Sequence, residues 1–394
     1  MNGFFQRCGS VAAGLILGLV LTAGCDSSTA RFHSNLVQMA ASNVSAKHQQ
    51  QVADILEAMY GTPDKPQLPP DTGLDLRKIE IAAGPVDGYT RGLFRLHCVH
   101  CHGITGDGMG PTAFFLKPYP RDYREGMYKF KSTTSNNPPT HEDLVRTLTE
   151  GVQGTAMPSF KLLPSKDIDA LVEYVEYLSL RGQTELALIE QYKLADAFDP
   201  DKEGFPETRD FLVDTVLKPI VDKWQGAASK VTQVAKPPDD WGTTASIDAG
   251  RQVFYDLAKA KGGCVKCHGP TALGDGQLVL DDWNKAIDDL TKKAAGGDLP
   301  ELSRALAVDS LPARESQPRN LRQGIFRGGR QPYEIFYRLS NGINGANMPG
   351  IAQTPGMTSD DIWHLIDFVL DLPYQPGSQF HSEEHMAAPP RERL

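Results

Sequence analysis

Cys98-Val99-His100-Cys101-His102 and Cys264-Val265-Lys266-Cys267-His268 are two copies of one pattern, C-x-x-C-H, and their reading decides the fold. Cysteines three positions apart stand on one side of a helical turn, where their thiols reach two vinyl groups on one porphyrin edge. The same turn holds the adjacent histidine, His102 or His268, close enough to bond iron through a ring nitrogen. This is the attachment signature of a c-type haem, so two covalent haem c groups are expected, one on Cys98 and Cys101 and one on Cys264 and Cys267. C-x-x-C also serves as a zinc half-site, a thioredoxin-like redox pair or a disulfide. The remaining two of the six cysteines are Cys8 and Cys25, which leaves none to complete a zinc cluster or a structural disulfide.

Cys8 and Cys25 belong to the N-terminus. Arg7 precedes an apolar run from Val11 to Leu21, short for a bilayer span but long enough for a signal-peptide core. The run ends Leu21-Thr22-Ala23-Gly24-Cys25, which resembles the lipobox of bacterial lipoproteins, where cleavage before the cysteine leaves it acylated. Thr22 stands where leucine is commoner, and ordinary secretory cleavage at small residues is the alternative. Residues 1–24 are therefore read as a signal peptide and Cys25 as the lipidation site. With each buried methylene contributing about 0.8 kcal/mol, several acyl chains give a stable anchor. The expected location is the periplasmic side of a bacterial membrane.

The 394 residues, 40% hydrophobic and 23% charged, suffice for more than one core. Formal charge is −9, and becomes −10 once residues 1–24 leave with Arg7. No basic stripe points to nucleic acid.

The duplication extends beyond the motifs. Pro120-Arg121-Asp122-Tyr123-Arg124-Glu125-Gly126 is matched by Pro318-Arg319-Asn320-Leu321-Arg322-Gln323-Gly324. Gly151-Val152-Gln153-Gly154-Thr155-Ala156-Met157-Pro158 is matched by Gly342-Ile343-Asn344-Gly345-Ala346-Asn347-Met348-Pro349. Both units thus end on Met-Pro. A thioether is a soft, neutral donor suited to haem iron, and the following proline biases the methionine toward extended backbone. Met157 and Met348 are the expected second axial ligands; Met109 and Met127 have no counterpart in the second unit. Arg121 and Arg319 suit haem propionates or serve to fix their loops.

Helices are expected before each motif, near 87–96 and 246–260. Others should close each unit. Ser165 begins one with Ile168, Leu171, Val172, Val175 and Leu178 on its apolar face and a stop at Arg181-Gly182. Thr358 and Asp361 form a capping box before Ile362, Leu365, Ile366, Val369 and Leu370, and Pro373 ends that helix.

Helix, C-x-x-C-H, glycine-rich turn (Gly106-Asp107-Gly108, echoed by Gly274-Asp275-Gly276), Met loop and closing helix together resemble a class I cytochrome c domain, present twice. The chain as a whole resembles bacterial di-haem c-type cytochromes. The resemblance implies an all-α fold wrapped round each haem, His102 and His268 as proximal ligands, and electron transfer, not enzymatic turnover, as the activity.

The two motifs lie 166 positions apart and the Pro-Arg segments 198 apart, so the second unit carries 32 extra residues. This insertion, at about 281–317, has Trp283, Ile287 and Leu290 at helical spacing and is read as a solvated excursion. A cover for a haem edge and a docking element are the alternatives.

The organisation read from the sequence is then a signal peptide (1–24), a lipid-anchored tether with one amphipathic helix (25–84) and a first cytochrome c domain (85–182). A helical linker (183–239), a second domain (240–375) and a tail (376–394) follow. The expected function is a membrane-tethered electron carrier, or subunit of a respiratory complex, with a redox-protein donor and acceptor. A di-haem peroxidase, which needs one iron open to peroxide, and a haem-bearing docking subunit are the alternatives.

Overall fold

The structure is a computed structural model that describes residues 29–88, 90–198, 209–256, 263–280, 282–297 and 299–376. The expected signal peptide (1–24), with Cys8, and Cys25 and residues 377–394 of the tail lie outside the described residues. The fold is all-α, as the sequence predicts, with two small hydrophobic cores.

The first core is organised by one long helix. Three short helices precede the first motif, α1 (Leu36–Ala41), α2 (Ala46–Tyr60) and α3 (Leu76–Ala82), followed by α4 (Leu93–His97) and the motif turn α5 (Val99–His102). Beyond it come α6 (His141–Glu150) and α7 (Ser165–Phe198). The expected stop at Arg181-Gly182 is corrected: α7 runs 34 residues, about 50 Å of helix. Gly182 sits mid-helix because a Cβ there would lie 2.2 Å from Arg124 Cα, so the glycine admits a close backbone approach and does not end the helix.

That extra length draws further segments into the first core. Leu188, Ile189 and Tyr192 on the second half of α7 are buried, and Met39, Val52, Leu56, Tyr60, Ile79 and Ala82 share their core. Residues 36–82 are therefore three packed helices belonging to the first domain, where a tether with one helix was expected. The linker also packs there: a wide-turn segment, Leu212–Leu217, leads into α8 (Lys218–Gln225), and Val216, Leu217 and Val221 are buried in the first core. Pro219 follows that wide turn directly, inside a helical run that continues through it. The helix before the first motif is shorter than expected because Gly92, at φ +70°, starts it only at Leu93.

The second core is built on α9 (Thr244–Tyr255), the motif turn α10 (Cys264–His268), α13 (Pro332–Asn341) and α14 (Ser359–Asp371). Between motif and α13 lie α11 (Asp282–Gly296) and α12 (Pro300–Val308). Helices α9 and α14 cross at Gly250, where a Cβ would meet the His364 carbonyl oxygen at 1.9 Å. The buried Asp367 carboxylate locks the crossing by accepting from Gly242 N at 2.8 Å and from the Ser246 hydroxyl. The Thr358–Asp361 capping box forms as expected.

The insertion departs from the solvated reading. It opens and closes on a two-residue antiparallel pair, β1 (Val279–Leu280) with β2 (Glu315–Ser316), and its helices reach the other domain. Leu302 and Ala305 of α12 are buried, and Asp309 just beyond accepts from the Leu36 amide of α1 at 2.9 Å. The Arg314 guanidinium donates to the Phe114 and Leu116 carbonyls at 2.6 and 3.0 Å. An element of the second unit thus fastens the first.

One ionic cluster gives this fold a pH dependence. His141, at the start of α6, bonds Asp169 at 2.7 Å and Glu176 at 3.1 Å, both on α7, which its ring can do as a double donor only when protonated. The Glu176 bond first, then the Asp169 contact, raises its pKa from 6.5 to about 9 despite partial burial. A raised histidine pKa stabilises fully below the unfolded value and is lost as pH rises through the folded one. Thermal unfolding should therefore show about 1–2 kcal/mol of stability disappearing between pH 6.5 and about 9, allowing for a side chain 35% exposed. In His141→Gln that slope should vanish.

Candidate haem cavity

Both C-x-x-C-H turns are single helical turns ended by a glycine in the left-handed region, Gly103 at φ +73° and Gly269 at φ +80°. The chain then doubles back beneath the histidine. Tyr123 N donates to Gly106 O at 2.7 Å, and in the second unit Leu321 N donates to Ala272 O at 2.9 Å. This sets the register of the glycine turns: Gly108 pairs with Gly274, since a Cβ on each would strike the Pro120 or Pro318 carbonyl at 2.8 and 2.3 Å. The apparent echo of Gly106-Asp107-Gly108 in Gly274-Asp275-Gly276 is therefore shifted by two residues.

The returning Pro-Arg segments orient the histidines. The His102 Nδ1 lies 3.0 Å from the Arg121 carbonyl, and the His268 Nδ1 lies 3.1 Å from the Arg319 carbonyl. A carbonyl only accepts, so in the neutral ring Nδ1 carries the proton and Nε2 keeps its lone pair for a metal. Burial keeps both rings neutral: it pulls the His102 pKa down to about 4 and lowers that of His268. Tyr123 stacks on His102 with centroids 4.7 Å apart, a support that Leu321 cannot repeat in the second unit.

Burial pushes Cys98 up to about 12 and Cys264 to about 11, whereas reactive C-x-x-C thiols are depressed. All four motif cysteines are free of disulfides. Among the described residues no group of three His, Cys, Asp or Glu side chains comes together to hold a metal ion as a protein-only cluster.

One cavity of 940 Å³ unites the two motifs. Cys98, Cys101 and His102 line it together with Cys264, Cys267 and His268, and so do Met157 and Met348, both half-buried. Met109 and Met127 do not. Each Met-Pro is held by a short backbone pairing: Val152 N donates to Met157 O at 3.1 Å, and β3 (Gly342–Ile343) pairs with β4 (Met348–Pro349). Gly151 and Gly342 make these hairpins possible, because a Cβ on either would meet backbone across the hairpin at 2.5 Å.

The cavity's charge is the test of fit for a haem, which brings two propionate carboxylates. In a chain of net charge −9, the described lining holds six cations, Arg121, Lys129, Lys266, Arg319, Arg327 and Arg338, and no carboxylate. The buried Nε of Arg319 and of Arg327 have no hydrogen-bond partner, and desolvation lowers the pKa of both guanidines. Unpaired buried donors in an apolar cleft are costly unless an anion answers them. Lys129 and Arg327 occupy equivalent repeat positions, a pairing visible once the Pro-Arg segments are aligned. Arg338 on α13 was hidden because its helix was not foreseen, although Gln331 and Glu334, like Thr140 and Asp143 before α6, carry the capping pattern.

The two sites meet through equivalent residues. Gly154 of the first Met loop packs against the Arg319 guanidinium and Ile325, which a Cβ would meet at 3.0 and 3.1 Å. Its counterpart Gly345 packs against Trp283, whose ring also lies 3.6 Å from the Arg121 guanidinium carbon. Such a cation–π contact is worth about 0.5–2 kcal/mol, depending on desolvation.

A helical domain closed round a C-x-x-C-H turn, with a methionine loop facing the histidine's cavity, defines a small haem-binding electron-transfer class. Residues 90–179 and 247–373 match the family model for cytochrome c, and the chain belongs to that family. Membership implies covalently bound haem c and electron transfer. Comparison with curated proteins gives no match. Among solved structures, a chain of the reducing HAO-like protein complex of Kuenenia stuttgartiensis is similar, with 23% identity and a TM-score of 0.47 over 71% of this chain and 94% of that chain.

Removing a cation from the cavity wall should favour the ferric state. Arg319→Gln or Arg327→Gln is expected to lower one reduction potential in a spectroscopic redox titration while leaving haem content intact.

Proposed function

We propose that this chain is a di-haem c-type cytochrome, tethered through lipid on Cys25 to the periplasmic face of a bacterial membrane. It passes electrons between redox proteins, as a carrier or as a subunit of a respiratory complex. The observation that carries this reading is the single cavity onto which both motif turns and both Met-Pro loops open. Bound haem supplies the one-electron Fe(III)/Fe(II) couple. Cys98, Cys101, Cys264 and Cys267 hold the two groups covalently. His102 and His268, oriented by their carbonyls, would offer Nε2 to the iron, and Met157 and Met348 would offer their thioethers. Arg121, Arg319 and Arg327 answer carboxylates, and the apolar walls, among them Leu148, Leu171, Phe326 and Leu339, exclude water. A histidine and a methionine for each iron would favour electron transfer over peroxide turnover, which needs an open iron.

Redox titration tests the ligand set. Met157→Ala and Met348→Ala should each lower a different one of two potentials by more than about 60 mV, a decade in a one-electron equilibrium. Two variants with unchanged potentials would dismiss the methionines. Anchoring is checked separately: mass spectrometry of the mature N-terminal peptide should show an acylated Cys25 as its first residue, and an unmodified N-terminus would refute the lipid.

A further inference from the structure

We propose that the insertion of the second unit is a clamp on the Met348 loop, with Trp283 as its positioning residue, so that closure of the second haem site depends on docking to the first. The proposal rests on the reading of Met348 as an axial ligand.

The repeat supplies an internal comparison. In the first unit, the loop before Met157 is backed by Arg319 and Ile325 of the other domain at Gly154, without an inserted segment. In the second, the insertion holds the equivalent loop at two points. The Trp283 ring occupies the space that a side chain at Gly345 would fill, with the nearest ring carbon 1.4 Å from the Cβ position. Two residues later, the Asn347 side-chain amide donates to the Leu280 carbonyl of β1 at 2.6 Å. The residue after Asn347 is Met348 itself.

Trp283 does not stand alone on its own domain. The Arg121 guanidinium carbon lies 3.6 Å from its ring centroid, and Lys129 Nζ 5.4 Å, both from the first unit and both lining the cavity. Arg121 is the residue whose carbonyl orients His102. The insertion is further pinned to the first domain by Asp309 and Arg314. A continuous set of contacts thus runs from the first motif's support, through one indole, to the loop that carries Met348. Gly345 lies at φ +67°, so both its backbone and its missing side chain suit this seat.

The test uses the full haem-loaded chain with carbon monoxide as the probe of an open ferrous iron. It is paired with the methionine-to-iron charge-transfer band of the ferric form and hydrogen exchange across 342–349. Wild type should resist carbon monoxide at both haems. Trp283→Ala should raise carbon monoxide affinity at one haem by about tenfold or more, because affinity scales with the open population, and weaken the methionine band by the same one haem. Exchange should quicken across 342–349 and not across 151–158. Asn347→Ala, which removes a single surface hydrogen bond, should act in the same direction if Trp283→Ala fails to fold, and Trp283→Phe should restore most of the closure. If Met348→Ala opens a haem while Trp283→Ala and Asn347→Ala leave band, affinity and exchange at wild-type values, the clamp is refuted and the ligand stands. If Met348→Ala itself opens nothing, the ligand reading falls and takes the clamp with it.

Discussion

Each half of this protein depends on one hydrogen bond, from a buried histidine Nδ1 to the carbonyl of an arginine returning beneath it. The bond from His102 to Arg121 and that from His268 to Arg319 fix the tautomer, aim the remaining lone pair and tie the motif turn to the rest of its domain. Much of the local backbone serves to place those two carbonyls. Left-handed residues after the motif turn the chain round, Gly106 in one unit and Ala272 at φ +60° in the other. In the first unit Gly182 then lets α7 press against Arg124, three residues past the carbonyl.

Around that shared device the units diverge. The first is enlarged by α1 to α3 and the second half of α7, and its histidine is stacked on Tyr123. The second is smaller, lacks the stacked tyrosine and carries the insertion. Because Arg121 meets Trp283, which packs on Gly345, while Arg319 meets Gly154, the two halves contact each other through residues at and beside the cavity. In the proposed reading this favours electron exchange within the chain and makes the ligand loops sensitive to interdomain packing. The cavity of this acidic protein nevertheless carries cations and, among the described residues, no carboxylate, a lining that suits a group bearing propionates.

The parts of this arrangement legible in the sequence are those set by local spacing. C-x-x-C-H, Met-Pro and the Thr358–Asp361 cap are short-range patterns whose geometry follows from a helical turn or a proline. What escaped was decided by tertiary contact. Gly182 looks like a helix stop, yet it is a contact point with Arg124, and no local signal separates the two roles. Residues 36–82 look like a spacer with one amphipathic helix because α1 and α3 are too short to show a period; their burial is settled by the long helix they cover. Trp283 reads as part of a solvated helix, and its partners lie some 160 residues upstream and 60 downstream.

The account stands or falls on two haems held by one chain. Peptide-resolved mass spectrometry of the purified native protein measures this directly. The predicted result is a haem adduct on both the peptide bearing Cys98 and Cys101 and the peptide bearing Cys264 and Cys267. Unmodified thiols at either pair in the functional protein would contradict it.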